Sequence, residues 1–255
     1  MTTRQHCIAL LTDFGLRDPY VAAVKGVIAS RTDARIHDLS HDLAPFDVFA
    51  AAWFLRSVAG YWPEGTIFVA VVDPGVGTSR RIIAAEREGR TFLGPDNGVL
   101  SLVVEPPVVS VENEAFFLPH GSATFHGRDR FAPVAAAIAN GTKLDTLGPR
   151  AGEIVRVDYT PPRYGDDQIE GTLVGIDRFG NLITDVEAAK IPFASFTFRA
   201  GWHVVDRLER TYGEAEGGPF LIIGSSGCIE VSVANASAAD VLQLSRGDRV
   251  TITPK

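Results

Sequence analysis

The sequence predicts an α/β domain with a largely parallel sheet, followed by a small all-β domain that is barrel-like. Three observations support this fold class. In the first part of the chain, short apolar runs typical of buried strands alternate with segments of helical spacing. A polar, proline-containing segment at residues 160–167 interrupts that pattern. Beyond it, short alternating runs follow with no helical period. We therefore expect two domains, at residues 1–160 and 168–255.

The first domain is expected to open on a strand and a helix. Residues 7–11 are uniformly apolar, as a strand covered on both faces requires. Residues 19–31 carry three valines and Ile28 at helical spacing, which predicts an amphipathic helix. Residues 35–39 predict a second short strand, and the long apolar stretch 45–58 predicts a second helix.

The next elements follow a proline–glycine turn. Residues 66–72 are strongly β-branched, which favours a strand. Residues 82–85 and 91–93 flank a short polar turn and predict a hairpin. Residues 131–140 are rich in alanine and predict a helix. Because strands alternate with helices, we expect a largely parallel sheet.

The second domain is predicted from strand-length runs, several of them separated by glycine-containing turns. These runs are residues 168–176, 196–199, 220–223, 228–233 and 249–252. Their number and shortness favour a small barrel.

Composition excludes several classes of protein. The 255 residues are 45% hydrophobic and 22% charged, which is typical of a globular chain. A net charge of -7 argues against a nucleic-acid partner. Every apolar run is well short of the ~18 residues of a membrane-spanning helix, and residues 1–6 show no secretory signal. The only cysteines, Cys7 and Cys228, have no paired spacing, so we expect a reducing, cytoplasmic location.

The sequence has few motifs of the common cofactor-binding types. Residues 75–77 read Gly-Val-Gly after a strand, but the third glycine of a dinucleotide turn is missing. Two histidines and two aspartates lie between residues 37 and 42 without a partner cluster. Solvated or capping roles are favoured for them over metal binding. We expect no metal and no cofactor.

Polar residues at the ends of apolar strands are the stronger signal. Asp13 and Asp73 end two strands, and ligands of α/β sheets bind beyond the carboxyl ends of strands. The turn at residues 95–98 and the segment 124–130 add a carboxylate, an imidazole and guanidinium groups. Each also has a local interpretation: the aspartates would bond turn amides, and His126 would cap a helix.

Five motifs in a fixed order resemble one family. They lie at residues 11–15 (LTDFG), 72–81 (VDPGVGTSRR), 94–98 (GPDNG), 125–129 (FHGRD) and 177–181 (DRFGN). This order is similar to that of the S-adenosylmethionine hydrolases, also called hydroxide adenosyltransferases, which are relatives of the fluorinases and chlorinases. The resemblance implies hydrolysis of S-adenosyl-L-methionine to adenosine and L-methionine without a cofactor. It further implies a homotrimer with the nucleoside between subunits, catalytic residues in the first domain and a second domain that completes the site.

The resemblance also separates hydrolases from halogenases. The hydrolase set of Asp, Arg and His falls on Asp73, Arg80 and His126. The halide-contacting Thr and Ser of the fluorinases fall on Val76 and Gly127, which offer no hydroxyl. Two alternatives stay open: an adenosyltransferase that uses halide, and a nucleoside-binding module without turnover.

The chemistry of these three residue types suggests their roles. Methionine leaves as a neutral thioether, so the difficulty is the nucleophile, because bulk water has a pKa of about 15.7. Arg80 stays protonated and is expected to stabilise the attacking oxygen. His126 is the candidate base, and Asp73 would orient one of the other two.

The resemblance assigns the substrate contacts as well. In the first domain, Asp13 would bind the ribose hydroxyls, Phe46 would wall the ribose and Phe125 would pack near the reacting carbon. In the second domain, the resemblance implies an ammonium contact at Asp177, a carboxylate contact at Ser225 and Ser226, an adenine sandwich of Phe179 and Tyr212, and an adenine-edge contact at Asn181. Barrel core is the alternative for both aromatic residues. Glu230 lies in the same strand region and has no assigned role.

Overall fold

The computed structural model describes residues 7–215 and 217–255. The chain divides into two units, of which the first ends at Asp158 and the second begins at Tyr159. The expectation for residues 1–6 lies outside the described residues. The sheet-rich α/β fold predicted from the sequence is confirmed, and the functional roles given to the two domains stay predictions.

The first unit contains seven strands and three α-helices among its described residues. They are β1 (Cys7–Thr12), α1 (Tyr20–Ala29), β2 (Arg35–Ser40), α2 (Val48–Val58), β3 (Thr66–Val71), β4 (Ile82–Arg87), β5 (Arg90–Pro95), β6 (Val108–Ser110), α3 (Ala132–Ala139) and β7 (Arg150–Ala151). The helix expected at 45–58 begins later because the Asp47 side chain caps it, accepting a hydrogen bond of 2.9 Å from the Ala50 N–H.

The sheet of the first unit is mixed rather than largely parallel. Its order is β2-β1-β3-β5-β4-β6-β7. The first four strands pair in parallel, whereas β4, β6 and β7 pair antiparallel. The reason lies in the connection between β4 and β5, where Glu88 and Gly89 both have positive φ. A two-residue turn of this kind joins antiparallel strands only.

Strand β1 is buried on both faces, as its uniformly apolar sequence predicts. Ile8 and Leu10 pack into a core that also contains buried residues of α1 and α3. Ala9 and Leu11 point the other way, into a core shared with α2. Successive strand residues face opposite sides, so helices on both faces hold the carboxyl end of β1 in place.

The second unit contains nine strands and one short α-helix among its described residues. They are β8 (Arg163–Tyr164), β9 (Ile169–Ile176), β10 (Leu182–Glu187), β11 (Phe196–Ala200), β12 (His203–Val205), β13 (Leu208–Glu209), β14 (Pro219–Ile223), β15 (Cys228–Val233), α4 (Ala238–Leu242) and β16 (Arg249–Pro254). The sheet order is β12-β11-β16-β9-β10-β15-β14-β13, with β8 on β9.

The expectation of an all-β barrel needs correction in two respects. Helix α4 contributes the buried residues Ala238 and Leu242 to the core, so the unit is not all-β. Within the described part of the chain, the strand order is open, with β12 and β13 at its two ends and no pairing between them. In α4, the four-residue spacing between Ala238 and Leu242 places both side chains on one face of the helix.

Among residues 7–215 and 217–255, no helix combines the length and the apolar character that crossing a membrane requires.

Candidate active site

The first unit contains a cavity of about 520 Å³ beyond the carboxyl ends of β1 and β3. Asp13 follows β1 and Asp73 lies two residues beyond β3, and both line this cavity. The two strands pair in parallel with Thr12 opposite Val71, which brings their carboxyl ends together. The remaining lining includes Phe46, Val76, Phe125, His126 and Gly127. With the exception of Arg80, the sequence-predicted site residues of the first unit therefore meet at one cavity.

Asp73, Arg80 and His126 form one hydrogen-bonded cluster. Arg80 Nε donates to Asp73 Oδ1 at 2.9 Å, and Arg80 Nη2 donates to Asp73 Oδ2. The same Nη2 lies 2.8 Å from His126 Nδ1. The side chains of Arg80 and Asp73 are only 9% and 4% exposed. Such a buried, two-pronged pair holds the guanidinium in one orientation.

The arginine contact determines the tautomer of His126. A guanidinium can only donate hydrogen bonds, so Nδ1 of His126 is the acceptor. The neutral ring then carries its proton on Nε2. Burial, together with the positive charges of Arg130 and Arg80, lowers the pKa of His126 to about 4. At neutral pH the imidazole is therefore uncharged and offers Nε2–H as a donor.

The third nitrogen of the Arg80 guanidinium has no hydrogen-bond partner in the part of the chain that the structure describes. Arg80 Nη1 is buried and makes no hydrogen bond to any described residue. The guanidinium also stands over the Phe131 ring, with 5.6 Å between its carbon and the ring centroid. A buried donor without a partner costs about 1–3 kcal/mol, so the cluster keeps hydrogen-bonding capacity that a bound water or substrate oxygen would satisfy.

Asp13 and Phe46 contact each other at the edge of the same cavity. The Phe46 N–H donates to Asp13 Oδ2 at 2.8 Å. Phe46 has a φ of 69° and is 70% exposed, so its ring lies away from the core. Phe125 packs edge-to-face against Phe14 and Tyr20, with centroids 6.0 and 5.2 Å away. These residues supply an apolar wall beside a carboxylate.

The two positions at which the resemblance would place halide-contacting hydroxyls are apolar or crowded here. Val76 lines the cavity with a side chain that cannot hydrogen-bond. A Cβ added at Gly127 would lie 3.2 Å from Phe14 Cζ, so a serine there would require the ring to move.

In the second unit, Asp177 organises the turn between β9 and β10. Its Oδ1 accepts hydrogen bonds from the backbone N–H groups of Phe179 and Asn181, each at 2.9 Å. Its Oδ2 accepts from Asn181 Nδ2 at 2.8 Å. The amide nitrogen of Asn181 is therefore engaged, and its Oδ1 is the atom that can accept from a ligand.

The two aromatic candidates of the second unit are not core residues. Phe179 is 78% exposed and Tyr212 is 51% exposed. The alternative interpretation of both as barrel core is therefore wrong. Ser225 and Ser226 are exposed in the turn between β14 and β15. Each of these positions is open to a ligand.

Glu230 is a buried carboxyl beneath Tyr212. The Tyr212 hydroxyl donates to Glu230 Oε2 at 3.3 Å. Gly224 has no side chain, and a Cβ at that position would overlap Glu230 Oε1. Burial and the nearby Asp177 raise the pKa of Glu230. Burial and Glu230 in turn raise the pKa of Tyr212. An acidic residue inside the strand-like run at 228–233 is the sequence signal for this buried group.

Sequence reasoning missed a second network in the first unit. Thr12 and His41 are 2% and 5% exposed and hydrogen-bond to each other, and His41 also bonds to Asp38. The expectation of solvated or capping roles is thus wrong for His41. The available signal was a histidine three residues after an aspartate, next to a predicted strand end.

Comparisons with known proteins identify the family. The fold and the buried cluster define an enzyme-like α/β chain with a small-molecule cavity at its strand ends. A family model for the SAM hydroxide adenosyltransferase N-terminal domain matches residues 8–148, and the C-terminal domain model matches residues 171–251. The chain belongs to the SAM hydroxide adenosyltransferase family.

Individual relatives agree with this assignment. The (R)-S-adenosyl-L-methionine hydrolase of Thermus thermophilus is 42% identical over 254 residues, covering 94% of this chain and 96% of that protein. A crystal structure of an uncharacterized conserved protein from Thermotoga maritima matches with a TM-score of 0.88 and 32% identity, covering 96% and 99% of the two chains. A fluorinase from Actinopolyspora mzabensis is 25% identical over 96% of each protein.

Proposed function

We propose that this enzyme hydrolyses S-adenosyl-L-methionine to adenosine and L-methionine by attack of an activated water at the 5′ carbon. The observation that carries the proposal is the Asp73–Arg80–His126 cluster, two members of which line the cavity. Membership in the family and the 42% identity to a protein named as a hydrolase support the same reaction.

The reaction balances without a metal or an external acid. The water oxygen forms a bond to the 5′ carbon while the carbon–sulfur bond breaks. Sulfur takes that electron pair and leaves as the neutral thioether of methionine. One water proton must be released, and the other remains on the new 5′ hydroxyl. The enzyme therefore has to orient the water and stabilise the negative charge that develops on its oxygen.

The cluster geometry favours a different division of roles from the one expected from the sequence. His126 Nδ1 already accepts from Arg80, so the ring is better suited to donate Nε2–H to the attacking oxygen than to act as base. Asp73 lines the cavity, and its carboxylate oxygens keep lone pairs that can accept the water proton. Arg80 contributes a permanent positive charge beside both groups.

The substrate assignments remain part of the proposal. We assign Asp13, Phe46 and Phe125 to the ribose end, because all three line the cavity beside the cluster. In the second unit, the exposed rings of Phe179 and Tyr212 suit stacking on adenine.

The polar groups of the second unit fit the remaining substrate atoms. Asn181 Oδ1 is oriented as an acceptor, which suits the exocyclic amino group of adenine. Asp177 would bind the methionine ammonium, and Ser225 and Ser226 the carboxylate. Because Asp177 already accepts three hydrogen bonds, its ammonium role requires a further lone pair.

Halide use is not supported by the cavity. Val76 offers no hydrogen bond to a halide, and Gly127 offers no hydroxyl. Desolvating a small anion without such donors is costly.

We further propose a homotrimer with sites between subunits, located in the cytoplasm, with no metal, no cofactor and no nucleic-acid partner. Family resemblance supports the trimer, and the two cysteines of the sequence support a reducing compartment. The acidic net charge supports the absence of a nucleic-acid partner.

The reaction is tested by incubating the enzyme with S-adenosyl-L-methionine in oxygen-labelled water. We expect adenosine that carries the label at its 5′ oxygen, together with L-methionine, in equal amounts. Asp73→Asn should lower the rate by about a hundredfold or more. Unlabelled adenosine, or a 5′-halo nucleoside formed in the presence of chloride or fluoride, would refute the proposal. Tight binding of substrate without turnover would identify a binding module instead.

A further inference from the structure

A continuous hydrogen-bonded network runs from the protein surface to the end of β1. Lys25 Nζ donates to Asp38 Oδ2 at 2.6 Å, and Asp38 Oδ1 lies 2.9 Å from His41 Nε2. His41 Nδ1 lies 2.8 Å from Thr12 Oγ1, and the Phe14 N–H donates to that oxygen at 3.3 Å. Only the Lys25 and Asp38 end is appreciably exposed, whereas Thr12 and His41 are buried.

The direction of every bond in this network can be assigned. Although burial acts in the opposite sense, hydrogen bonds from Lys25 and His41 hold the pKa of Asp38 below its ordinary value, so the carboxylate is ionised and only accepts. His41 Nε2 therefore donates to Asp38, and in the neutral imidazole Nδ1 accepts from the Thr12 hydroxyl. The oxygen of that hydroxyl in turn accepts from Phe14. With His41 in its neutral form, each member of the network has a single role.

The network ends on both sides of Asp13. Thr12 precedes Asp13 and Phe14 follows it, so the hydroxyl-to-amide bond closes a local turn around this residue. The Gly15 N–H donates to the His41 carbonyl at 2.7 Å, which joins the same turn to the chain after β2. Asp13 Oδ2 accepts from the Phe46 N–H. Within the described residues, Asp13 Oδ1 makes no hydrogen bond and remains available to a ligand.

We propose that Thr12, His41 and Asp38 are positioning residues that hold the Asp13 carboxylate in the orientation required by the ribose hydroxyls. The inference rests on the proposed function, because that function assigns Asp13 to the ribose. A carboxylate fixed before the ligand arrives loses less conformational freedom on binding. The network fixes the backbone on both sides of Asp13 and leaves one of its oxygens open.

A purely structural role predicts a different result from a positioning role. Loss of a structural bond lowers stability and weakens all nucleosides alike. Loss of a positioning bond weakens only those nucleosides that present hydroxyls to Asp13. The useful quantity is therefore the ratio of two dissociation constants, one for adenosine and one for an analogue that lacks both ribose hydroxyls.

The principal test replaces Thr12 by valine, which keeps the volume and removes the hydroxyl. Calorimetry on the full-length protein should show that Thr12→Val reduces the preference for adenosine over the dideoxy analogue by about 3- to 10-fold. The matched control is Thr66→Val. Thr66 is also buried, in the same sheet, and hydrogen-bonds to the Pro63 carbonyl at 2.7 Å, but it lies at the opposite end of the strands. This control should lose stability and keep the preference.

Two substitutions of His41 test the direction of the bonds. Asparagine places an acceptor near the position of Nδ1, whereas glutamine places a donor near the position of Nε2. If the contact to Thr12 transmits the effect, His41→Asn should retain more of the ribose preference than His41→Gln. In an Asp13→Asn background, Thr12→Val should cause no further loss of preference, because the group being positioned is already changed.

The outcomes separate this inference from the proposed function. If the unmodified protein binds adenosine and the dideoxy analogue equally, the ribose role of Asp13 fails and the positioning role fails with it. If the unmodified protein and Asp13→Asn differ but Thr12→Val keeps the full preference, only the positioning role is overturned. A loss of preference in Thr66→Val equal to that in Thr12→Val would also overturn it.

Discussion

Arg80 donates hydrogen bonds to both Asp73 and His126. The same guanidinium therefore pairs with the Asp73 carboxylate and determines the tautomer of His126. If Nδ1 of His126 carried the proton instead, two donors would face each other at 2.8 Å. The cluster therefore presents one acceptor group, Asp73, and one donor group, His126 Nε2–H. Water can bind such a pair in one orientation, donating to the first and accepting from the second.

Substitutions that mimic single nitrogens of His126 should distinguish its role as a hydrogen-bond donor from a role as general base. Glutamine keeps a donor near the Nε2 position, so His126→Gln should retain at least about tenfold more kcat than His126→Asn. Alanine should lower kcat by about a hundredfold or more with a smaller change in KM, because the contact strengthens as the nucleophile forms. Steady-state kinetics at neutral pH measures all three. Equal losses in the glutamine and asparagine variants would argue against the donor role.

The titration of His126 provides an independent check on the cluster. Nuclear magnetic resonance should show an imidazole that titrates near pH 4, against an ordinary value of 6.5, with the neutral ring protonated on Nε2. Comparison with His126→Gln assigns the signal. A midpoint near 6.5, or a proton on Nδ1, would contradict the geometry.

The same shift has a consequence for stability, and its sign follows from proton uptake. Between pH 6.5 and about 4, the unfolded chain binds a proton at this histidine and the folded chain does not. The free energy of unfolding should therefore decline as the pH falls through this window, and His126 should contribute no pH dependence above it. Urea unfolding of the protein and of His126→Gln between pH 4 and 7 measures the difference.

The meeting of Asp13 and Asp73 at one cavity could be predicted from the sequence, but the hydrogen-bond directions within the candidate site could not. Asp13 and Asp73 end apolar strands, and parallel strands bring such ends together, so their common cavity follows from the pattern. The base role given to His126 depended on which ring nitrogen faces Arg80. That contact joins residues 46 positions apart, and no local pattern determines it.

The turn after β5 performs a task that its sequence does not reveal. Asp96 was interpretable as an ordinary turn residue, yet its side chain is 4% exposed. Asp96 Oδ2 accepts from Arg81 Nε at 2.9 Å, and Oδ1 accepts from the Val155 N–H at 2.8 Å. Arg81 also donates to the Glu153 carbonyl. The turn thereby fixes the last segment of the first unit against its sheet.

Removing this carboxylate should destabilise the first unit strongly. Asp96→Ala leaves the Val155 N–H and the Arg81 guanidinium without their acceptor, at a cost of about 2–4 kcal/mol. Asp145→Ala is the matched control, because Asp145 pairs with Arg150 at the surface, where both are more than 60% exposed. That change should cost less than about 1 kcal/mol. Urea unfolding compares them, and equal losses would show that the contact to residues 153–155 contributes little.

The type of an element could be predicted where its own residues show a helical or strand-like pattern. It was harder to predict where pairing with another strand determines the structure. The sequence predicts the hairpin β4–β5. The alternation of strands with helices, however, predicts a parallel sheet and gives no sign that this hairpin adds antiparallel strands to it. Strand β10 was not expected at all. Its sequence, LITDVE, alternates weakly because Thr184 and Asp185 are both buried, with Thr184 bonded to the Ile229 carbonyl.

At the scale of the whole molecule, the proposed substrate contacts are divided between the two units. The residues proposed for ribose binding and water activation belong to the first unit, and those proposed for adenine and methionine belong to the second. If the family pattern applies, sites form between neighbouring subunits of a homotrimer. Sedimentation should then give the mass of three chains of 27.4 kDa, about 82 kDa in total.

Subunit mixing tests whether the two halves of a site come from different chains. Asp73→Asn disables the first half and Phe179→Ala weakens the second, and Phe179 is 78% exposed, so its removal should leave the fold intact. In an equal mixture of the two variants that exchange subunits, about a quarter of intersubunit sites combine two intact halves. Activity at low substrate concentration should then rise above that of either variant alone. The control is a mixture kept under conditions that prevent exchange. Sites contained within single chains would show no gain after exchange, because every chain in the mixture carries one defective half.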